Sequence, residues 1–252
     1  MSLLRHLTTH PARARRWVAG VLFASGLIAC ERTAEVPPAL SDAVTGRDFL
    51  PIRIGSYWIY DVVDQYWNFN RDSIARFQFR ERVDTVFPGA NGEQTFRLIR
   101  SRRPDSLSQW HDDSVFALVL TPQLVRQTFA NRPTVELVFP VRDRATWNPN
   151  MFNALDSTER RYVALDQPLT LATGQQFVRT VRVEDAGENN LFYRRENSSV
   201  YARAVGRIHR VRRALEFCQL NDSVATRCPI GPGYIVRGQE REETLRAYGP
   251  PQ

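Results

Sequence analysis

Ala75-Arg76-Phe77-Gln78-Phe79-Arg80-Glu81-Arg82-Val83-Asp84-Thr85-Val86-Phe87 alternates apolar and polar residues with period two. Phe77, Phe79, Val83 and Phe87 hold odd positions, while Arg76, Gln78, Arg80, Arg82 and Asp84 hold even ones. Successive side chains of a β-strand point to opposite faces, so the segment is predicted to be a strand with one buried and one wet face. A wet face points to an antiparallel sheet. Similar runs lie at about 56–69, 94–102, 114–121, 124–130, 134–140, 160–165, 176–185, 191–204, 207–218 and 233–247. Turn chemistry separates them, as in Pro88-Gly89-Ala90-Asn91-Gly92 and Gly187-Glu188-Asn189-Asn190. The expected fold class is therefore all-β: one antiparallel meander curled into a barrel, a half-barrel or a sandwich.

Residues 1–29 carry Arg5, Arg13, Arg15 and Arg16 with no acid, and Trp17–Ala29 is a run of 13 apolar or small residues. That is a basic n-region and an h-region too short to span a bilayer, which needs about 20 apolar residues. The run ends in Leu27-Ile28-Ala29-Cys30, which resembles a bacterial lipobox. The resemblance implies cleavage before Cys30, acylation of Cys30 and attachment to a membrane through its acyl chains. The organisation expected is a signal peptide at 1–29, a lipid-anchored flexible tether at 30–48 and a β-domain at 49–252. Glu31 after the cysteine favours the outer membrane, with the leaflet left open.

All 34 basic side chains are arginine, so Schiff-base, P-loop and general-base lysines are excluded. Without the leader the chain has 30 Arg against 27 acids, a net charge of +3, and no nucleic-acid partner is indicated. His111 and His209 are the only histidines beyond the leader, which argues against a multi-histidine metal site. No cofactor is indicated. The sequence lacks Gly-x-Ser-x-Gly, His-Glu-x-x-His and Cys-x-x-Cys, and no catalytic residue is assigned. Cys218 and Cys228 flank an Asn-Asp-Ser turn and are expected to clip a hairpin by a disulfide.

Two groups are candidates for ligand contact. Arg207, Arg210 and Arg212 belong to the densest basic segment and offer bidentate geometry to phosphate-bearing lipid heads or another anionic envelope component. The bland alternative is a solvated strand face paired with Glu184, Glu196 or Glu240. Trp147, next to Asn148-Pro149-Asn150, is expected on a loop where it could meet a sugar or an acyl chain. Asp-Ser/Thr steps such as Asp72-Ser73, Asp105-Ser106 and Asp222-Ser223 resemble O-glycosylation acceptors and equally suit ordinary turns.

Phe49-Leu50-Pro51-Ile52-Arg53-Ile54-Gly55-Ser56-Tyr57-Trp58-Ile59-Tyr60 resembles the opening of a group of uncharacterised bacterial lipoproteins. Trp147-Asn148-Pro149-Asn150 with Asn153, Thr173-Gly174-Gln175-Gln176-Phe177, Tyr201–Gly206 and Tyr248-Gly249 are similar to later landmarks of that group, except that Ala204 stands where Gly is expected. The resemblance implies fold and location, and carries no activity. The reading that follows is a non-enzymatic, lipid-anchored envelope module that binds an unidentified ligand, envelope protein or lipid. A carrier of a hydrophobic ligand in a half-barrel and a hydrolase without a recognisable motif are the alternatives.

Overall fold

Thirteen strands are present in the computed structural model, which describes residues 41–219 and 228–249. The leader, Cys30, the tether up to Leu40 and Asp222-Ser223 lie outside the described residues. The strands are β1 Tyr57–Asn68, β2 Arg71–Pro88, β3 Gln94–Arg103, β4 His111–Leu120, β5 Leu124–Phe129, β6 Arg132–Val138 and β7 Thr146–Trp147. The remainder are β8 Arg160–Thr170, β9 Gln176–Asp185, β10 Glu188–Asn189, β11 Tyr193–Ala202, β12 Gly206–Cys218 and β13 Gly231–Gly249. All pair antiparallel in the order β6-β5-β4-β3-β2-β1-β13-β12-β11-β9-β8-β7, with β10 added on β11.

The order is an up-and-down meander whose last strand returns to its first. β1 pairs with β13 along its whole length, from Tyr57 opposite Gly249 to Asn68 opposite Arg237. The result is a nearly closed barrel, and the two ends of the hydrogen-bonded path are β6 and β7. Side chains seal that seam. Tyr162 on β8 donates its hydroxyl to the Val138 carbonyl at 2.7 Å and accepts the Val138 N–H at 2.9 Å. Trp147 Nε1 and Arg160 Nη1 both donate to the Val135 carbonyl, at 3.2 and 2.9 Å, and the Val135 N–H donates to the Pro149 carbonyl at 2.9 Å. Asn153 Nδ2 donates to the Pro133 carbonyl at 2.7 Å. The edge of β6 thus has its backbone groups satisfied without a neighbouring strand.

The landmarks of the sequence fall on closure points. Trp58 Nε1 donates to the Val205 carbonyl at 2.6 Å, and a side chain at Gly206 (φ 105°) would press on the Trp58 indole. A Cβ on Gly249 would stand 2.6 Å from the Tyr57 ring. Ala204 takes the left-handed conformation, φ 59°, for which glycine was the expected residue.

Two local features differ from the sequence expectation. Regular structure is already present ahead of Phe49: a helix at Asp42–Thr45 and a 3-10 turn at Arg47–Phe49 cap one end of the barrel. Phe49 is fully buried there, and the Ala204 N–H and the Arg203 guanidinium both bond to Asp48, at 2.7 Å each. Phe87 was expected inside and is 51% exposed. A bulge between Val83 and Thr85 shifts the register, so the inward parity passes from odd to even residues beyond it. Cys218 and Cys228 form the expected disulfide, on the β12–β13 hairpin.

Candidate functional site

The inward stripes of the strands divide the interior into layers. Along β1 the inward residues are Trp58, Tyr60, Val62 and Asp64, all buried, and the next in phase is Tyr66. Along β2 the matching row is Val83, Glu81, Phe79, Phe77 and Ala75. Along β3 it is Leu98, Arg100 and Arg102. The layer beside the cap is apolar, built from Phe49, Trp58, Leu98, Leu118, Val125, Leu137 and Leu245. The next layer is ionic, and beyond it the barrel is open.

Two clusters make up the ionic layer. Glu81 accepts from Arg100 at 2.6 Å and from Arg207 at 3.1 Å, and Arg207 also donates to Glu243 at 3.2 Å. Burial alone would raise the Glu81 carboxyl, but the charges of Arg207 and Arg100 outweigh it and hold it down at about 2. In the second cluster Arg210, 2% exposed, donates to Glu136 at 2.9 Å and to Ser199 at 3.0 Å. Arg160 lies 3.6 Å from Glu136 and forms a two-pronged pair with Asp185. Burial works to raise Glu136 and Glu243 as well, and the neighbouring guanidinium charges lower both. The Arg210 Nη1 group is buried and has no hydrogen-bond partner among the described residues.

Above the ionic layer lies a cavity of about 840 Å³, within the roughly 300–1,000 Å³ typical of small-molecule sites. Among the described residues its lining includes nine arginines and five carboxylates. β3 contributes Arg100 and Arg102, β6 Arg132 and β8 Arg160. β11 contributes Arg195, β12 contributes Arg210, Arg212 and Arg213, and β13 contributes Arg241. Four of the carboxylates are engaged. Asp64 accepts from Arg241, Gln239 and Tyr66, Glu136 and Asp185 bind Arg160, and Glu196 binds Arg213 at 2.6 Å. Burial tends to raise Asp64, and those three hydrogen bonds bring it below the usual range.

Arg102, Arg132 and Arg212 have no ion pair or hydrogen bond among the described residues. The Arg102 guanidinium rests on the Phe77 ring, 3.8 Å from its centroid. Arg212 stands opposite Arg241 on β13 and Asn197 on β11, one inward position beyond Arg210. The side chain of Arg212 is exposed at the open end, and the like charge of Arg210 lowers its pKa.

Of the candidates read from sequence, Arg210 and Arg212 meet in the cavity. Arg207 lies one layer deeper, as a member of the Glu81 cluster. The bland pairing was right for their neighbour Arg213, which binds Glu196 and Glu240 on the wall. Trp147 is buried, packs on Tyr162 with centroids 4.7 Å apart, and faces the seam rather than the cavity. His111 is exposed, and His209 pairs with Glu242 at 2.9 Å on the outer face. Asp105 accepts from the Leu107 and Ser108 N–H groups in a turn. Asp64, Glu81, Arg100 and Arg160 were missed. Three of them carried a signal, because Asp64, Glu81 and Arg100 fall in phase with the apolar residues of their strands.

Comparison of the chain with protein-family models, with curated proteins and with solved structures gave no match.

Proposed function

We propose that this protein is a lipid-anchored component of the bacterial cell envelope, held by acyl chains on Cys30 and favouring the outer membrane. Its barrel serves as a non-enzymatic binding module, with the open cavity as the ligand site. The observation that carries this reading is the cavity itself: about 840 Å³, open at one end and lined by nine arginines. A barrel that served only as a scaffold would fill that space with side chains.

The chemistry favours binding over reaction. General acid catalysis needs a carboxyl raised toward neutral pH, whereas Asp64 and Glu136 in the cavity wall are both lowered by arginine. The hydrophobic-carrier alternative draws little support from the apolar half of the barrel. Its residual void, beside Leu50, Trp58 and Leu118, is about 40 Å³.

Native mass spectrometry of the full-length protein, extracted in non-ionic detergent from its own membrane, tests the reading. The expected spectrum shows the acylated chain with a further small-molecule mass that disappears on unfolding. A chain that carries acyl groups alone, and binds nothing from a whole-envelope small-molecule extract, overturns the binding-module reading.

A further inference from the structure

The ligand's chemistry is legible in what the cavity leaves unpaired. Among the described residues nine arginines line the cavity; six have carboxylate partners, Arg100 and Arg195 finding theirs in Glu81 and Glu188 outside the lining, while Arg102, Arg132 and Arg212 have none. A buried N–H without an acceptor is costly. Arg102, Arg132 and Arg212 are exposed at the open end and have no acid partner among the described residues, and beneath them Arg210 keeps its Nη1 buried and unpaired. Arg210 is 2% exposed, so a guanidinium N–H is held in place beneath the cavity without an acceptor.

The guanidinium groups are also preorganised. Arg102 is braced on Phe77, and Arg100 lies over Phe79, at 4.8 Å from its centroid, and between Phe116 and Phe129. Arg210 is fixed by Glu136 and Ser199. Fixed forks of donors suit an acceptor with several oxygens and more than one charge, which a guanidinium meets with two parallel bonds. A monocarboxylate would answer one of these groups and leave the others unpaired.

We propose that the barrel mouth binds a small molecule through a phosphate group, or a pair of them, seated on Arg210, Arg212 and Arg102. The proposal rests on the binding-module reading and names its ligand class. The phosphate can belong to a soluble metabolite or to a lipid headgroup, since both present the same oxygens.

The test uses the detergent-solubilised full-length protein and isothermal titration at constant ionic strength. Inorganic pyrophosphate is expected to bind at least tenfold more tightly than acetate, and glycerol phosphate to compete with it. Arg212→Gln is expected to weaken pyrophosphate at least tenfold with an unchanged thermal midpoint, and Arg212→Lys to recover part of the loss. Arg102→Gln reports on the second fork in the same way. Pull-down on vesicles of neutral lipid with and without phosphatidate separates the two sources. Competition by glycerol phosphate without vesicle capture assigns a soluble ligand, whereas capture that depends on phosphatidate and Arg212 assigns a headgroup. Pyrophosphate binding no tighter than acetate, or unaffected by Arg212→Gln in a folded variant, overturns the proposal. If native mass spectrometry then still shows a retained ligand without phosphorus, the binding-module reading survives and the phosphate assignment falls. If it shows none, both fall.

Discussion

Replacing Tyr162 by Phe isolates the contribution of the seam between β6 and β8. Tyr162 is fully buried, and its hydroxyl makes two hydrogen bonds to one residue, donating to the Val138 carbonyl and accepting from the Val138 N–H. Phenylalanine keeps the ring against Trp147 and removes only the oxygen. A hydrogen bond contributes about 1 kcal/mol net, and each buried polar group left alone costs about 1–3 kcal/mol. Val138 is half-buried, so both of its backbone groups recover part of that cost from water. The expected loss is about 2–4 kcal/mol. Tyr60→Phe is the matched control: Tyr60 is equally deep but its hydroxyl makes one bond, to the Arg207 carbonyl at 3.0 Å. Urea unfolding followed by tryptophan fluorescence should show a lower midpoint at an unchanged slope, with Tyr162→Phe losing about twice what Tyr60→Phe loses. Hydrogen exchange should speed at the Val138 amide before the β1–β13 ladder is affected. A loss below about 0.5 kcal/mol, or an unchanged Val138 amide, would refute a seam closed by this side chain.

Glu81→Gln leaves Arg100 and Arg207 facing each other without their shared counter-charge, and should cost about 3–5 kcal/mol by the same urea assay; a loss under about 1 kcal/mol would mean that water reaches this layer. Glu81 is held near 2, below the ordinary 4.5, so its contribution is fully present above pH 4.5 and lost as pH falls toward 2. That loss is on the order of 3 kcal/mol from Glu81 alone, and Glu136, Glu243 and Asp64 shift in the same direction. Unfolding free energies between pH 7 and 3 should therefore fall steeply in the native chain and less steeply in Glu81→Gln; parallel curves would count against the assignment. Ala204→Gly relieves a left-handed alanine at φ 59° and should raise stability by about 0.5–1.5 kcal/mol after the greater freedom of glycine in the unfolded chain is subtracted. An unchanged or lower midpoint would show that position 204 bears no strain.

Most strand locations were legible because burial on one side of a sheet writes itself into alternate residues. The same rule hid the site. Asp64, Glu81 and Arg100 occupy inward positions, but a polar residue within an apolar stripe looks like an interruption unless its partner is known. Their partners lie on other strands: Glu81 is 126 residues from Arg207, and Glu136 is 74 from Arg210. The Phe69-Asn70 and Ala130-Asn131 turns were similarly quiet. All four residues have positive φ, as tight two-residue hairpins require, without the glycine that would announce them.

From the amino-acid sequence alone came the antiparallel class, the approximate strands, the pairing of Cys218 with Cys228, and a basic segment holding Arg210 and Arg212. Each is local, set by side-chain alternation, turn chemistry or spacing. Only the tertiary structure decided that β13 returns to β1, that the curl closes as a barrel rather than a sandwich, and that Trp147 seals a seam. It alone separated the arginines into those answered by carboxylates and those left facing an open cavity. Closure depends on which distant backbone groups find each other, and charge balance depends on which distant side chains share a volume. Neither quantity is carried by any stretch of sequence shorter than the barrel.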